Sequence, residues 1–205
     1  MAISNFFRIE PRGVHQAAFL LAATSVANGL LGLFRDRFLA AHFGASRELD
    51  IYYAAFRIPD MLFSLSLFFV ASTAFIPLFS ERKNKSESEA KDFYDSLFSI
   101  FFLSMGVIII LAFFLMPYAT PYVVPGFDAT ARAKTLLLSR ILLLSPLLLG
   151  LSNLVSGVVQ ASKKFLAYAL APIAYNVGII FGILILSPRY GLAGIAYGVS
   201  VGALL

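Results

Sequence analysis

The sequence predicts an all-α protein, a polytopic membrane helix bundle. Three observations predict it. Apolar residues make up 60% of the chain and charged residues only 13%, about half the ~25% charged of soluble domains. Mean hydropathy is +0.85. Several apolar runs approach the ~20 residues that cross a ~30 Å hydrocarbon core.

Composition also excludes function classes. With no Cys and only His15 and His42, a disulfide or thiolate metal site is ruled out, and nothing gathers carboxylates around a histidine. No nucleophile and base converge in the pattern, so an enzyme is not expected. The net charge of +5 is read as loop residues that set topology, not as a nucleic-acid surface.

Six apolar spans follow in order. The first covers about 14–43, with Arg8 and Arg12 before it. Its apolar pattern runs past any small-residue cleavage site, so it reads as a helix and not as a cleaved leader. "GASR" (Gly44–Arg47) is a turn, and the second span covers about 48–80. "ERKNKSESEAKD" (Glu81–Asp92) reads as a polar loop, and the third span covers about 93–117. "YATPYVVPGFDAT" reads as a loop, followed by a span over about 132–160 and the turn "ASKK". The fifth span covers about 165–186, "SPRYG" turns the chain, and the sixth covers 192–205. A rise of 1.5 Å per residue makes that last span shorter than the bilayer core. Either the last helix is re-entrant or, the favoured expectation, the chain over 1–205 is one transmembrane unit of a longer protein with its sixth helix truncated.

Basic residues alternate by loop. Arg8, Arg12, Arg82, Lys83, Lys85, Lys91, Lys163 and Lys164 share one side, against Arg47, Arg132, Lys134 and Arg189 on the other. The positive-inside rule puts the N-terminus in the cytoplasm. Pro59, Pro146 and Pro172 interrupt spans, where each removes a backbone hydrogen bond and bends the helix. Gly178 and Gly182, with Gly194, Gly198 and Gly202, have the small-xxx-small spacing of closely packed helices.

Charges inside apolar runs are the functional signal. Arg35, Asp36, Arg57 and Asp60 flank the turn near Ala45 at similar distances along the chain, about 15 Å deep by helical rise. Charges at that depth are costly and face a bundle interior or a wet cavity. Ser25, Asn28, Gly32, Arg35 and His42 share one helical stripe, and Tyr53, Arg57, Asp60 and Ser64 share another. Arg57 and Asp60, three apart, can pair within their helix. Arg35 and Asp36 diverge by ~100° and are not expected to share a face. The fourth span adds Arg140, Ser145, Ser152, Ser156 and Gln160. Together these describe a net-cationic cavity, or else an ion-pair network that holds helices together. Asn153 and Asn176 read as interhelical hydrogen-bond glue.

The stretch "GLLGLFRDRFLAAHFGASRELDIYYAAFRIPDMLFSLSLFFVASTAFIPLFSE", with "VPGFDAT" and "YGLAGIAYGVSVGALL", resembles the MurJ/MviN family of lipid II flippases in the MOP exporter superfamily. The resemblance implies two pseudo-symmetric six-helix lobes, of which this chain would be the N-terminal one. It places Arg35, Asp36 and Asp50 on positions used in or beside the family cavity, and Arg57 on a basic position. Gly29 stands where the family usually has Arg, Phe63 and Ser64 where it often has another, and Asp60 where Asn is usual. The glycan therefore stays open.

The implied function is alternating-access transport of a lipid-linked pyrophosphate glycan across the bacterial cytoplasmic (inner) membrane. Arg35 and Arg57 would hold the pyrophosphate, with Asp36, Asp60, Asp50 and Asn28 beside them. No cofactor is implied; a coupling ion or the membrane potential would supply the drive. Membrane lipids and a C-terminal lobe are the expected partners. Two alternatives remain: another MOP-type exporter of polyprenyl-linked polysaccharide, or a non-transporting membrane scaffold.

Overall fold

The computed structural model describes residues 14–72, 74–162 and 164–205. The readings that involve Arg8, Arg12 and Lys163 lie outside the described residues. Among the described residues every regular element is helical.

Helix α1 spans Val14–Phe43. It ends where Gly44 takes φ 59° and its N–H closes on the Ala40 carbonyl at 2.8 Å. Glycine reaches that left-handed region without a Cβ clash, so the chain can turn at once. Helix α2 (Arg47–Ala55) follows, with Glu48 and Asp50 in its first turn, where acidic groups complement the positive helix end.

The span read over 48–80 is not one helix. It divides into α2, α3 (Arg57–Ser72) and α4 (Phe75–Lys85). Pro59 causes the first break. Lacking an N–H, it leaves the Ala55 carbonyl without its helical donor, and the Ser139 hydroxyl, from a distant helix, donates to that carbonyl at 2.9 Å. At the second break Ala74 adopts φ 46°, a strained conformation for a residue with a Cβ. Pro77 then sits in the first turn of α4, where no N–H is needed.

The stretch Glu81–Asp92 is helical on both sides of Ser86, not a loop. Ser86 caps α5 (Glu87–Val123) by accepting from the Glu89 N–H at 3.0 Å. Ser-x-x-Glu is the signature of such a cap. Helix α5 runs through Pro117 and Pro121, well past the expected end at 117. Pro117 frees the Phe113 carbonyl, and Arg140 reaches it at 3.3 and 3.4 Å while stacking on the Phe113 ring at 4.4 Å.

Asp128 caps α6 (Ala129–Leu142) through the Ala131 N–H at 2.7 Å. Helix α7 (Leu144–Ala161) starts after a break at Leu143. Pro146 would leave the Leu142 carbonyl bare, but the Ser145 hydroxyl donates to it at 2.7 Å. Helix α8 (Phe165–Phe181) passes through a π-turn (Gly182–Leu186) into α9 (Ser187–Tyr190). Gly191 at φ 57° then turns the chain into α10 (Leu192–Leu204).

Among the described residues four stretches are long and apolar enough to cross a membrane: Ala18–Phe43, Glu87–Val123, Ala129–Ala161 and Leu166–Tyr190. Ile100, Leu103, Val107, Ile110 and Phe114 of α5 are exposed, as a lipid-facing surface requires. Helix α8 packs against α1 and α10, and α3 packs against α7. The main core gathers Leu39, Tyr52, Leu142, Ile183, Ile195 and Val199. The glycine seam joins α8 to α10, where a Cβ on Gly198 would lie 2.5 Å from the Gly182 Cα.

Candidate functional site

A cavity of about 540 Å³ opens between α1, α3, α7, α8 and α10. Its polar lining follows from helical spacing. Thr24, Ser25 and Asn28 come from one face of α1, and Ser145, Ser152, Asn153 and Ser156 from one face of α7. Residues three and four apart stand on one face of a helix, which brings Ser25 with Asn28, and Ser152 with Ser156, to the lining together, while Thr24 and Asn153 line it from the flanks of those stripes. Helix α3 adds Pro59, Asp60 and Phe63, and α8 adds Tyr168, Pro172 and Tyr175. Among the described residues Asp60 is the one charged side chain in this lining. A second compartment of about 470 Å³ adjoins it and shares Asn153, Ser156 and Tyr168, with Gln160 added.

Some lining groups are already engaged. Thr24 donates to the Leu20 carbonyl at 2.8 Å. Asn28 accepts from the Asn176 amide at 2.8 Å, and that amide also reaches the Pro172 carbonyl at 3.2 Å. Asn176 is thus interhelical glue, as its position suggests. Asn153, read the same way, makes no such bond among the described residues and lines the cavity.

Arg35 does not line either compartment. Its Nε and Nη2 reach Asp36 Oδ1 at 2.9 and 2.8 Å, and its Nη1 donates to Asn176 Oδ1 at 3.2 Å. Arg35 and Asp36 therefore meet although they are adjacent on a helix. The 100° divergence applies at Cβ, and the long arginine arm spans it. Through Asn176 the pair is tied to Asn28, so it steadies the cavity wall of α1 against α8. Tyr175 interacts electrostatically with both Arg35 and Asp60.

Arg57 and Asp50 lie elsewhere. They line a separate pocket of about 440 Å³ with Arg47, Tyr53 and Val123–Phe127. Arg57 does not pair with Asp60. Its Nη1 donates to the Val123 carbonyl at 2.7 Å. Arg47 reaches the Gly126 carbonyl at 3.4 Å and stacks on Phe127, and Arg132 donates to the Pro125 carbonyl at 2.7 Å. Three guanidinium groups thus gather carbonyls at the C-terminal end of α5. That end carries unpaired carbonyls and a negative partial charge, which cations satisfy. The single net-cationic cavity expected from sequence is in fact two places, and the arginines sit outside the larger one.

Two tyrosines of the cavity, Tyr168 and Tyr175, were not among the sequence candidates. Their spacing about Pro172, at four and three residues, is the signal that places them on one face. Among the described residues no three His, Cys, Asp or Glu side chains gather to hold a metal.

Comparison with known proteins places this geometry in a family context. The family model for lipid II flippase MurJ matches residues 39–205. The lipid II flippase MurJ of Thermosipho africanus is 32% identical over 193 residues, covering 92% of this chain and 39% of that protein. The Burkholderia cenocepacia lipid II flippase MurJ is 28% identical over 195 residues, covering 93% of this chain and 38% of its own length. A solved structure of lipid II flippase MurJ in an inward closed conformation superposes with a TM-score of 0.70 at 27% identity, over 91% of this chain and 40% of that one. The chain spans about two-fifths of the length of these relatives.

Proposed function

The chain belongs to the lipid II flippase MurJ family, and from that premise we propose that it forms one six-span lobe of a flippase for lipid-linked glycans. The single observation that carries the proposal is the polar cavity, with the Asp60 carboxylate in it, enclosed by apolar helices. A charged group at membrane depth is maintained against a cost of about 2.5–3.5 kcal/mol on insertion scales, and transport is a reason to keep it.

In this reading Asn28 and Asp60 contact the substrate headgroup. Arg35 and Asp36 hold the wall behind Asn28, and Asp50 and Arg57 serve the separate pocket beside α5. A second lobe faces the cavity and completes the path, and the two rock about helices interrupted at Pro59 and Pro146. The N-terminus lies on the cytoplasmic side of the inner membrane, as the basic residues at Arg82–Lys91 favour.

The test is a chimera. The Thermosipho africanus relative, with its matching N-terminal portion replaced by this chain, is placed in vesicles with a fluorescent lipid-linked disaccharide pyrophosphate. The expected result is transport that is lost on Asp60→Leu. A folded chimera that moves no lipid would refute the proposal.

A further inference from the structure

A groove of about 680 Å³ runs between α4, α5 and α7, apart from the polar cavity. Its floor is apolar, with Phe79 from α4, Tyr94 from α5, and Val155, Val158 and Val159 from α7. Spacings of three and four residues put the valines on one face of α7, and Val155 is exposed. The rim carries both signs of charge. Lys83 and Lys91 come from two helices, and Glu87 stands with them. Lys83 Nζ donates to the Ser162 hydroxyl at 3.1 Å, and Lys91 Nζ pairs with Asp95 Oδ2 at 3.2 Å. An ammonium has three donors, so each lysine keeps some for a ligand. Glu87 has no hydrogen-bond or ion-pair partner among the described residues. Helix α5 fixes the depth of this rim. Tyr118 and Tyr122, toward its other end, are exposed, where aromatic side chains mark the membrane–water interface. From Lys91 to Tyr118 helical rise gives about 40 Å, close to the ~40–45 Å of a bilayer with its headgroups. The rim therefore lies at the headgroup level of the opposite leaflet. Lys83 meets Ser162 just past the end of α7, so Val159, Val158 and Val155 lead from the rim toward the hydrocarbon.

We infer that this groove is a binding site for an aminophospholipid. The phosphodiester sits between Lys83 and Lys91, the headgroup ammonium meets Glu87, and one acyl chain lies along the valines. The inference goes beyond the flippase reading and does not depend on it. Lysine holds a phosphodiester by charge-assisted hydrogen bonds, and the carboxylate of Glu87 accepts them from a primary ammonium. A purely anionic headgroup would answer the two lysines and bring no positive charge to Glu87. A zwitterionic headgroup answers both signs of the rim. A trimethylammonium group has no N–H to donate, so the primary amine is the better fit. The groove volume of about 680 Å³ lies within the ~300–1,000 Å³ of small-molecule sites, which suits a headgroup and the adjoining part of one chain. A water-soluble ligand would leave the apolar floor at hydrocarbon depth unfilled.

The chain has no Trp, so Val155→Trp places a lone fluorophore in the groove and Val107→Trp places one on the exposed face of α5. The whole chain carrying either is put into phosphatidylcholine bilayers with rising fractions of brominated phosphatidylethanolamine, phosphatidylglycerol or diacylglycerol. Quenching reads the affinity of each lipid relative to phosphatidylcholine, and far-UV circular dichroism is the folding control. The expected result at Val155→Trp is a three- to fivefold preference for phosphatidylethanolamine, about the size of an exposed ion pair. At Val107→Trp no preference is expected. Glu87→Gln should erase the preference. Lys83→Gln with Lys91→Gln should raise diacylglycerol against phosphatidylcholine by about threefold or more, because the phosphate loses its partners. Lys85→Gln should change neither, since Lys85 lies outside the lining and pairs with Glu81 at 2.9 Å. Val159→Trp takes the place of Val155→Trp if that variant fails to fold. Phosphatidylglycerol favoured over phosphatidylethanolamine would overturn the inference, as would the same ratios at both tryptophans or a preference kept in Glu87→Gln. Soluble glycerophosphoethanolamine should leave the quenching unchanged, and relief of quenching by it would overturn the assignment to a membrane lipid. The chimera is a separate measurement, so this inference and the flippase reading fail independently.

Discussion

Ser139 gives the most direct test of how proline is accommodated in this bundle. Its hydroxyl is buried, with 3% of the residue exposed, and donates to the Ala55 carbonyl at 2.9 Å. That carbonyl is free only because Pro59, four residues on, has no N–H. Ser139→Ala should therefore leave a buried acceptor unpaired. An unmade bond costs about 1–3 kcal/mol in soluble proteins, whereas interhelical side-chain bonds in membranes average ~0.6 and reach ~1.7 kcal/mol. The site is buried and apolar, so about 1–1.5 kcal/mol is expected. In a Pro59→Ala background the alanine N–H closes the helical bond itself, and Ser139→Ala should then cost under about 0.5 kcal/mol. The assay is a double-mutant cycle, with reversible unfolding in mixed micelles followed by far-UV circular dichroism. Ser96→Ala is the control, because the Asp92 carbonyl that Ser96 contacts at 2.7 Å keeps its helical donor. Equal losses for Ser139→Ala in both backgrounds would refute the reasoning.

Three further outcomes follow from the same geometry. Gly198→Ala should destabilise the α8–α10 seam by about 1–3 kcal/mol, because its new Cβ meets only Gly178 and Gly182 backbone at 2.5–2.8 Å. Gly106→Ala, with nothing within 4 Å, should hold or gain stability, so equal melting shifts would contradict the close-packed seam. Arg35→Gln should lose about 0.5–1 kcal/mol, a modest figure because Asp36 is half exposed. Asp36→Asn should recover part of it, whereas unchanged stability with lost transport in the chimera would make Arg35 a substrate ligand instead. For topology, an impermeant thiol reagent added outside cells should label a cysteine at Ala45 and spare one at Ser88, and the reverse pattern would invert the assigned orientation.

Much of the fold is legible in the sequence because its signals are local. Hydropathy alone indicates the membrane class, since every turn of a spanning helix must offer apolar surface to lipid. The end of α1 is written in Gly44; the caps at Ser86 and Asp128 are local signals too, but the polar stretches around them read as loops, which places those helix starts several residues late. The seam between α8 and α10 is written in five glycines, because only a bare Cα lets backbones approach so closely. The helical stripes of α1 and α7 identify Ser25, Asn28, Ser152 and Ser156 as inward-facing.

What the sequence leaves open concerns partners far apart along the chain. Ser139 meets Ala55 across 84 residues, Arg35 meets Asn176 across 141, and Asn28 meets Asn176 across 148. Periodicity ranks faces but does not say which long side chain reaches which carbonyl. The reading of a cationic cavity followed from depth along the helices, and depth does not fix the direction of an arginine arm. Packing turned Arg57 to the end of α5 and Arg35 onto its neighbour Asp36. Asp60 stayed in the cavity, its side chain without a partner among the described residues. The sequence by itself determined an apolar helical bundle with charges set inside its apolar runs. Only the tertiary structure decided which of these charges find a partner among the described residues and which line the cavity, because that depends on distances between helices that no local pattern encodes.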